Sequence, residues 1–374
     1  VSTAASWKVL VVDDQKTICE DLHEALHGFS PLDSGPRLHV ETETSFDRAY
    51  ARILSERFDL VILDVRKDTP EADTQAGSRI FENFKSHRFV PVIFYTALPR
   101  TVSDATGSFV AIVEKSEGTD AVIGKIKLIF STMLPHLLRH IEEEQRKYLW
   151  VELPKLISQH KRPLDPAEPV YLLARRLAQK LSGESIRDFL KLPQDKVHPS
   201  EFYIFPPTHP DPLSGDIYQA PNTQPQDYWV TITPSCDLAT RANGKCNAEF
   251  VLMAGTESLT TTSEHRAWQA SKGKSSPDGS VGTREKLEKS ITNNRSGGQA
   301  SRYHFLPGIG GMPDLVVDFQ NTRAVRYSEL TSTWIRIASL DNPFAENLQN
   351  RFINHTGRVG APDINPAAVL KRFS

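Results

Sequence analysis

Residues 8–14 read Lys-Val-Leu-Val-Val-Asp-Asp, four apolar positions that end in the paired acids Asp13 and Asp14. A continuous apolar run of this length predicts a strand buried on both faces, as in a parallel sheet. The period then changes. Ile18, Leu22, Leu26 and Phe29 recur about one helical turn apart, which predicts a helix. The same two-part unit returns downstream. Leu38–Glu41 is a weaker strand, followed by Phe46, Ala49, Tyr50, Ile53 and Leu54 at helical spacing. Leu60–Leu63 is wholly apolar and ends at Asp64, and Ile80, Phe81 and Phe84 mark the next helix. Pro91–Tyr95 and Phe109–Val113 are two more strands of the buried type. Strands alternating with helices predict an α/β fold, a doubly wound parallel sheet of five strands with helices on both faces.

The acids fall at informative places. In an open parallel sheet, ligands sit beyond the carboxyl ends of the strands. Asp13 and Asp14 end the first strand, Asp64 ends the third, Thr96 follows the fourth, and Lys115 follows the fifth. Three carboxylates in one cleft repel each other unless a hard cation intervenes, and Mg²⁺ prefers such oxygen ligands. A hydroxyl and an ammonium beside a metal-bound carboxylate can hold the oxygens of a phosphoryl group on it. Singly, each residue has a plainer reading: helix-capping acids, a strand-end turn residue, a solvated lysine. Together, in this order, they point to phosphoryl chemistry.

The motifs VLVVDD, LVILDV, FYTA and IVEKS resemble the receiver domain of bacterial two-component response regulators, over residues 6–130. The resemblance implies a flavodoxin-like fold in which Asp64 accepts a phosphoryl group from a histidine kinase as an acyl phosphate. It implies Mg²⁺ held by Asp14, Asp64 and the Arg66 backbone carbonyl, with Asp13 acting through bound water. Lys115 would pair with the phosphoryl group and Thr96 would hydrogen-bond it. The chain departs from the family pattern in four places. The loop from Val65 to Gly77 is long, Ser116 stands where a proline is usual, and Ile112 stands where an aromatic switch residue is usual. The stretch between Thr96 and Lys115 is short, which implies a truncated fourth helix.

Beyond residue 120 an apolar stripe runs from Ile123 through Ile126, Leu134 and Leu138 to Ile141, and Pro135 predicts a kink or break within it. Glu142, Glu143 and Glu144 follow, a charged stretch suited to solvent. The stripe is longer than a final receiver helix needs, so the surplus predicts either a homodimer through helices 120–158 or packing on the Val170–Leu181 helix of the same chain. Eight of the 25 prolines fall between Pro193 and Pro225, which excludes long helices there. Short strands are expected at Tyr228–Thr233, Phe250–Met253, Tyr303–Leu306, Leu315–Phe319 and Trp334–Ile337. A polar loop is expected at Lys272–Gly282 and a helix at Phe344–Phe352. The chain therefore divides into a receiver-like domain (6–130), a helical connector (131–192) and a strand-rich α+β domain (193–374). The last has the texture of an SH3-like barrel around GDIY, YWVTITPSCDL and AEFVLMAG.

Composition bounds the function. The 374 residues carry a formal net charge of −2, and residues 1–130 hold 15 basic against 20 acidic side chains. That balance argues against a strongly basic nucleic-acid binder or a polybasic membrane-surface protein. No apolar run reaches membrane-spanning length and no charged-then-apolar leader is present. Three cysteines, Cys19, Cys236 and Cys246, are too few for a disulfide framework and suit a reducing cytoplasm. Cys236 and Cys246 with His265 or His304 could bind zinc, or Cys236 could act as a nucleophile, but the spacing lacks paired Cys motifs and no structural zinc is expected. The expected function is a response-regulator-like signalling protein with an output that is not a helix-turn-helix. The alternatives are a regulated effector, either an enzyme or a nucleic-acid binder, as in bacterial stress or phage-defence gene clusters, and a phosphorylation-independent pseudo-receiver.

Overall fold

The apolar runs become five strands: β1 (Trp7–Val12), β2 (Leu38–Glu43), β3 (Leu60–Leu63), β4 (Val92–Thr96) and β5 (Val110–Glu114). The structure is a computed structural model. It describes the chain except residues 1–5, 34, 66–75, 88, 100–101, 103–106, 108, 160–164, 166, 193–195, 224–225, 273–276, 296–299, 359–363 and 374. The five strands pair in parallel in the order β2-β1-β3-β4-β5. This is the flavodoxin-like order, whose switch point lies between β1 and β3. Helices α1 (Lys16–Leu26), α2 (Phe46–Ser55), α3 (Ala76–Lys85) and α4 (Gly118–Ser131) cover it.

The period-two geometry of β1 sorts its side chains onto two cores. Val9 and Val11 pack with Leu22 and Leu26 of α1 and Ile126 and Phe130 of α4. Leu10 and Val12 pack with Phe46 and Ile53 of α2 and Ile80 and Phe81 of α3. Each observed strand lies within two residues of its expected bounds. Between β4 and β5 no α-helix occurs among the described residues, in line with the short sequence there.

The break expected at Pro135 is sharp. Met133 takes the left-handed conformation (φ 62), and Pro135 falls in the first turn of α5 (Leu134–Lys147), where its missing N–H is not needed. A π-helical turn (Tyr148–Glu152), α6 (Leu153–Gln159), α7 (Glu168–Lys180) and α8 (Gly183–Leu190) follow. α5 turns back onto its own sheet. The Arg139 guanidinium lies 3.7 Å above the Trp7 ring and donates to the buried Asp59 carboxylate at 2.6 Å. On its other side α5 meets α7 through Arg176, which lies 3.6 Å from Glu144 and 2.6 Å from Glu152. The expectation of a solvated Glu142–Glu144 stretch is thereby corrected: Glu144 is buried against Arg176. Much of the surplus stripe is consumed within the chain, and the receiver-like part and the connector fall in one compact unit, Val1–Gln194.

The second unit, Asp195–Ser374, is built on one antiparallel sheet. Its strands are β6 (Tyr203–Ile204), β7 (Asp216–Gln219), β8 (Tyr228–Thr231), β9 (Phe250–Ser258), β10 (Tyr303–Leu306), β11 (Leu315–Arg326) and β12 (Ile335–Leu340). They run in the order β10-β11-β9-β8-β7-β12-β6. β10 and β6 are the edges and do not pair with each other among the described residues, so the strand-rich expectation holds as an open sheet rather than a closed SH3-like barrel. A helix at Phe344–Thr356 covers one face through Leu348, and the other face buries Tyr218, Trp229, Met253 and Trp334. The polar stretch expected as a loop at Lys272–Gly282 is helical from Pro277, the start of a helix that runs to Ile291. Proline is favoured in the first turn of a helix, which explains that start within an otherwise turn-like composition.

Candidate functional site

β1 and β3 are neighbours, so their carboxyl ends bring Asp13, Asp14 and Asp64 together. One carboxylate oxygen from each lies within 4.8 Å of the others. Asp13 and Asp64 are buried, and Asp14 is half-buried. Three hard oxygen donors at one cleft mouth fit Mg²⁺ and not a soft metal. The fourth implied ligand, the Arg66 carbonyl, lies outside the described residues.

Lys115 reaches this cluster from the turn that follows β5. Its Nζ lies 2.6 Å from Asp13 Oδ2 and 2.7 Å from Asp64 Oδ2, one ammonium between two buried carboxylates. Burial works to lower the Lys115 pKa, but hydrogen bonds and charge from both acids outweigh it, and the ammonium is held above its ordinary value. Burial pushes the Asp13 carboxyl up, and the nearby Asp64 charge adds to this despite Lys115 and the Gln15 backbone N–H. Asp64 also accepts a 2.6 Å hydrogen bond on Oδ1 from the Val65 backbone N–H.

Thr96 is the last residue of β4 rather than the first beyond it, and is fully buried. Its Oγ1 accepts from the Leu98 N–H at 3.1 Å, which opens the following loop as a turn. The five residues expected to act together therefore sit at the carboxyl edge of one sheet: Asp13, Asp14, Asp64, Thr96 and Lys115.

Three further residues shape the site. Gly77 returns the chain to Asp64, with its N–H bonded to the Val65 carbonyl at 3.0 Å. A Cβ at Gly77 would lie 2.0 Å from the Asp64 carbonyl oxygen, so only glycine fits. The Tyr95 hydroxyl donates to the Lys115 carbonyl at 3.4 Å, which ties β4 to the lysine turn. Cys19, buried under the acid loop, donates its thiol to the Asp13 carbonyl at 3.3 Å. Periodicity explains Tyr95 and Cys19 as core residues, so sequence alone gave no reason to assign them to the site. Gly77 closes the long loop after Asp64, and that position was its one readable signal.

The second unit holds no comparable cluster among the described residues. Cys236 is exposed, and Cys246 donates to the Ala248 carbonyl at 3.2 Å. His304 is buried on β10 beside the Phe319 ring, whereas neither cysteine lies on a strand.

A flavodoxin-like α/β domain with an acidic cluster at its switch point is the class that the fold and this edge define. Solved receiver domains of response regulators are similar to it over the N-terminal part of the chain. One is the response regulator TrrA of Thermotoga maritima in complex with Mg²⁺-BeF, at 26% identity, covering 33% of this chain and 98% of that one, with a TM-score of 0.27. Another is the receiver domain of a Francisella response regulator, at 19% identity, covering 34% and 99%, with a TM-score of 0.28. A third is DrrB, an OmpR/PhoB homologue of Thermotoga maritima, at 19% identity, covering 47% and 89%, with a TM-score of 0.27. The chain matches no family model and no curated protein. No single described helix is long and apolar enough to cross a membrane.

Proposed function

We propose that the N-terminal unit is a phosphoacceptor receiver and that the chain is a response-regulator-like signalling protein. Asp64 takes a phosphoryl group from the phosphohistidine of a histidine kinase. The observation that carries this reading is the convergence of Asp13, Asp14, Asp64, Thr96 and Lys115 on one sheet edge. An Asp64 carboxylate oxygen attacks phosphorus, the P–N bond breaks, and the electron pair stays with the departing imidazole. Asp14 and Asp64 would hold Mg²⁺ directly, with the Arg66 carbonyl as a further ligand and Asp13 acting through bound water; the bound ion would supply positive charge to the phosphoryl oxygens. Lys115 exchanges its contact with the Asp64 carboxylate for one with the phosphoryl oxygens. Thr96 donates its hydroxyl to them.

The state of Asp64 has a route outward through this lysine. Ile112 is half-buried at the rim of the core and offers no aromatic reporter. Tyr95 bonds the Lys115 carbonyl and lies in the core shared by α1 and α4. Movement of Lys115 is thus felt by Tyr95 and by α4, which leads into the connector. The strand-rich unit is the output that this movement controls.

Acetyl phosphate with and without Mg²⁺ tests the reading. Mass spectrometry is expected to show one Mg²⁺-dependent phosphoryl group on the wild-type chain and none on Asp64→Asn. Equal labelling of the two proteins would remove Asp64 as acceptor. No labelling of either would favour the phosphorylation-independent pseudo-receiver.

A further inference from the structure

We infer that Glu117 is a positioning residue: it fixes the turn that aims Lys115 between Asp13 and Asp64. The inference deepens the phosphoacceptor reading and rests on it only for what the aimed ammonium does.

A lysine side chain is long and flexible. Its backbone must be held firmly if Nζ is to meet two carboxylates at once, here at 2.6 and 2.7 Å. Lys115 opens a 3-10 turn, Lys115–Glu117, that joins β5 to α4. Hydrogen-bond geometry in such turns is poor, and Ser116 has no ring to lock its φ. The hold on the turn therefore comes from contacts at its borders, and these come from three elements.

At the entry, the Glu117 carboxylate reaches back and accepts the backbone N–H of Glu114, the last residue of β5, at 3.0 Å. This is the reach-back half of a capping box. In the middle, the Tyr95 hydroxyl of β4 donates to the Lys115 carbonyl at 3.4 Å. At the exit, the Gly118 N–H donates to the same carbonyl, with Gly118 at φ 77, a conformation that favours glycine. From there the chain runs into α4, whose Val122 and Ile126 are buried in the core. Lys115 is thus tied to β5, β4 and α4 together, and Glu117 supplies the tie to β5. An acid at the head of α4 also suits the helix dipole. Glutamine separates the two roles, because it keeps the acceptor oxygen and loses the charge.

Reductive methylation of the full chain without Mg²⁺, read by mass spectrometry of the Lys115 peptide, tests the positioning directly. Only free amine is methylated, and an ammonium held above its ordinary pKa by two acids reacts slowly. Glu117→Ala is expected to speed methylation of Lys115 about fivefold, the shift that one lost cap contact allows. Glu117→Gln is expected to react at the wild-type rate. Lys8, paired with Glu41 and Glu56, is the reference and is expected not to change. An unchanged Lys115 rate in Glu117→Ala would overturn the inference. Equal acceleration at Lys8 would do so too, since the whole unit would then have loosened. So would a Gln variant as fast as the Ala variant, since charge at the head of α4 would then be the cause. The consequence for transfer is read with acetyl phosphate and Mg²⁺, where Glu117→Ala is expected to label Asp64 more slowly by a similar factor and Glu117→Gln to restore the rate. Wild-type labelling by Glu117→Ala would also overturn the inference, because the aim of Lys115 would not matter to the transfer. A wild-type chain that takes no label would remove the phosphoacceptor reading, and the lysine rates would still decide the positioning.

Discussion

Lys115 is the residue on which the site turns. It stands between two buried carboxylates and neutralises what would otherwise be like charges at close range. Removing one partner of such a cluster leaves uncompensated buried charge and costs several kcal/mol in comparable cases. Lys115→Met is therefore expected to lower the thermal stability of the N-terminal unit. It is also expected to enlarge the stabilisation given by added Mg²⁺, since a ligand that binds only the folded state raises its stability by mass action. Thermal unfolding of both proteins over a Mg²⁺ titration checks this. Melting temperatures that ignore Mg²⁺ in both would contradict the assignment of the acids as metal ligands. Gly77 bears on the same point, because its close approach to the Asp64 carbonyl leaves no room for a side chain there.

Among the elements, α5 does the least expected work. In a receiver-like domain the chain could leave after α4. Here Met133 and Pro135 redirect it, and Arg139 then bonds Asp59, which also accepts from the Lys8 backbone N–H at 2.8 Å. Arg57 supplies a third donor to Asp59 at 3.2 Å. Arg139 thus acts as a latch, adding a cation–π contact on Trp7 to a charged hydrogen bond. Arg139→Ala is expected to cost about 2 kcal/mol, read by urea denaturation of the full chain. A loss of only a few tenths would show that Arg57 and Lys8 suffice for Asp59. The latch also limits what a fragment ending at residue 131 reports, because Trp7 would lose its cover there.

For the molecule as a whole, buried histidines set the response to acid. Burial pushes His304 down to about 3 from an ordinary 6.5, and His136 and His355 are lowered in the same way. Below pH 6.5 the unfolded chain binds protons that the folded chain refuses, so stability present above that pH is lost as pH falls. Glu56, held near 2 by Arg52 and Lys8, adds a second decline below its ordinary 4.5. Asp13 and Asp216, pushed up by burial, oppose that second decline where carboxylates titrate. Unfolding measured from neutral pH to about 4 is expected to show a falling stability that His304→Phe makes shallower. An unchanged slope in the variant would show that His304 is protonated in the folded state.

The sequence by itself determined the parallel sheet, the break at Pro135 and the residues of the acidic edge. Their signals are local: Val9–Val12 and Leu60–Leu63 are apolar at every position, and buried parallel strands need nothing else. In the second unit the outer halves of β9 and β11 escaped, because Thr256, Glu257 and Thr322–Arg323 are polar and the ladder alone holds them as strand. Only the tertiary structure decided that Glu144 is buried, since its cover, Arg176, stands 32 positions away in the chain. It alone placed Gly77 against the Asp64 carbonyl and turned α5 onto Trp7 and Asp59. Periodicity records which face of an element prefers to be dry. It does not record which distant element arrives to cover that face, and that choice rests on long-range packing and charge.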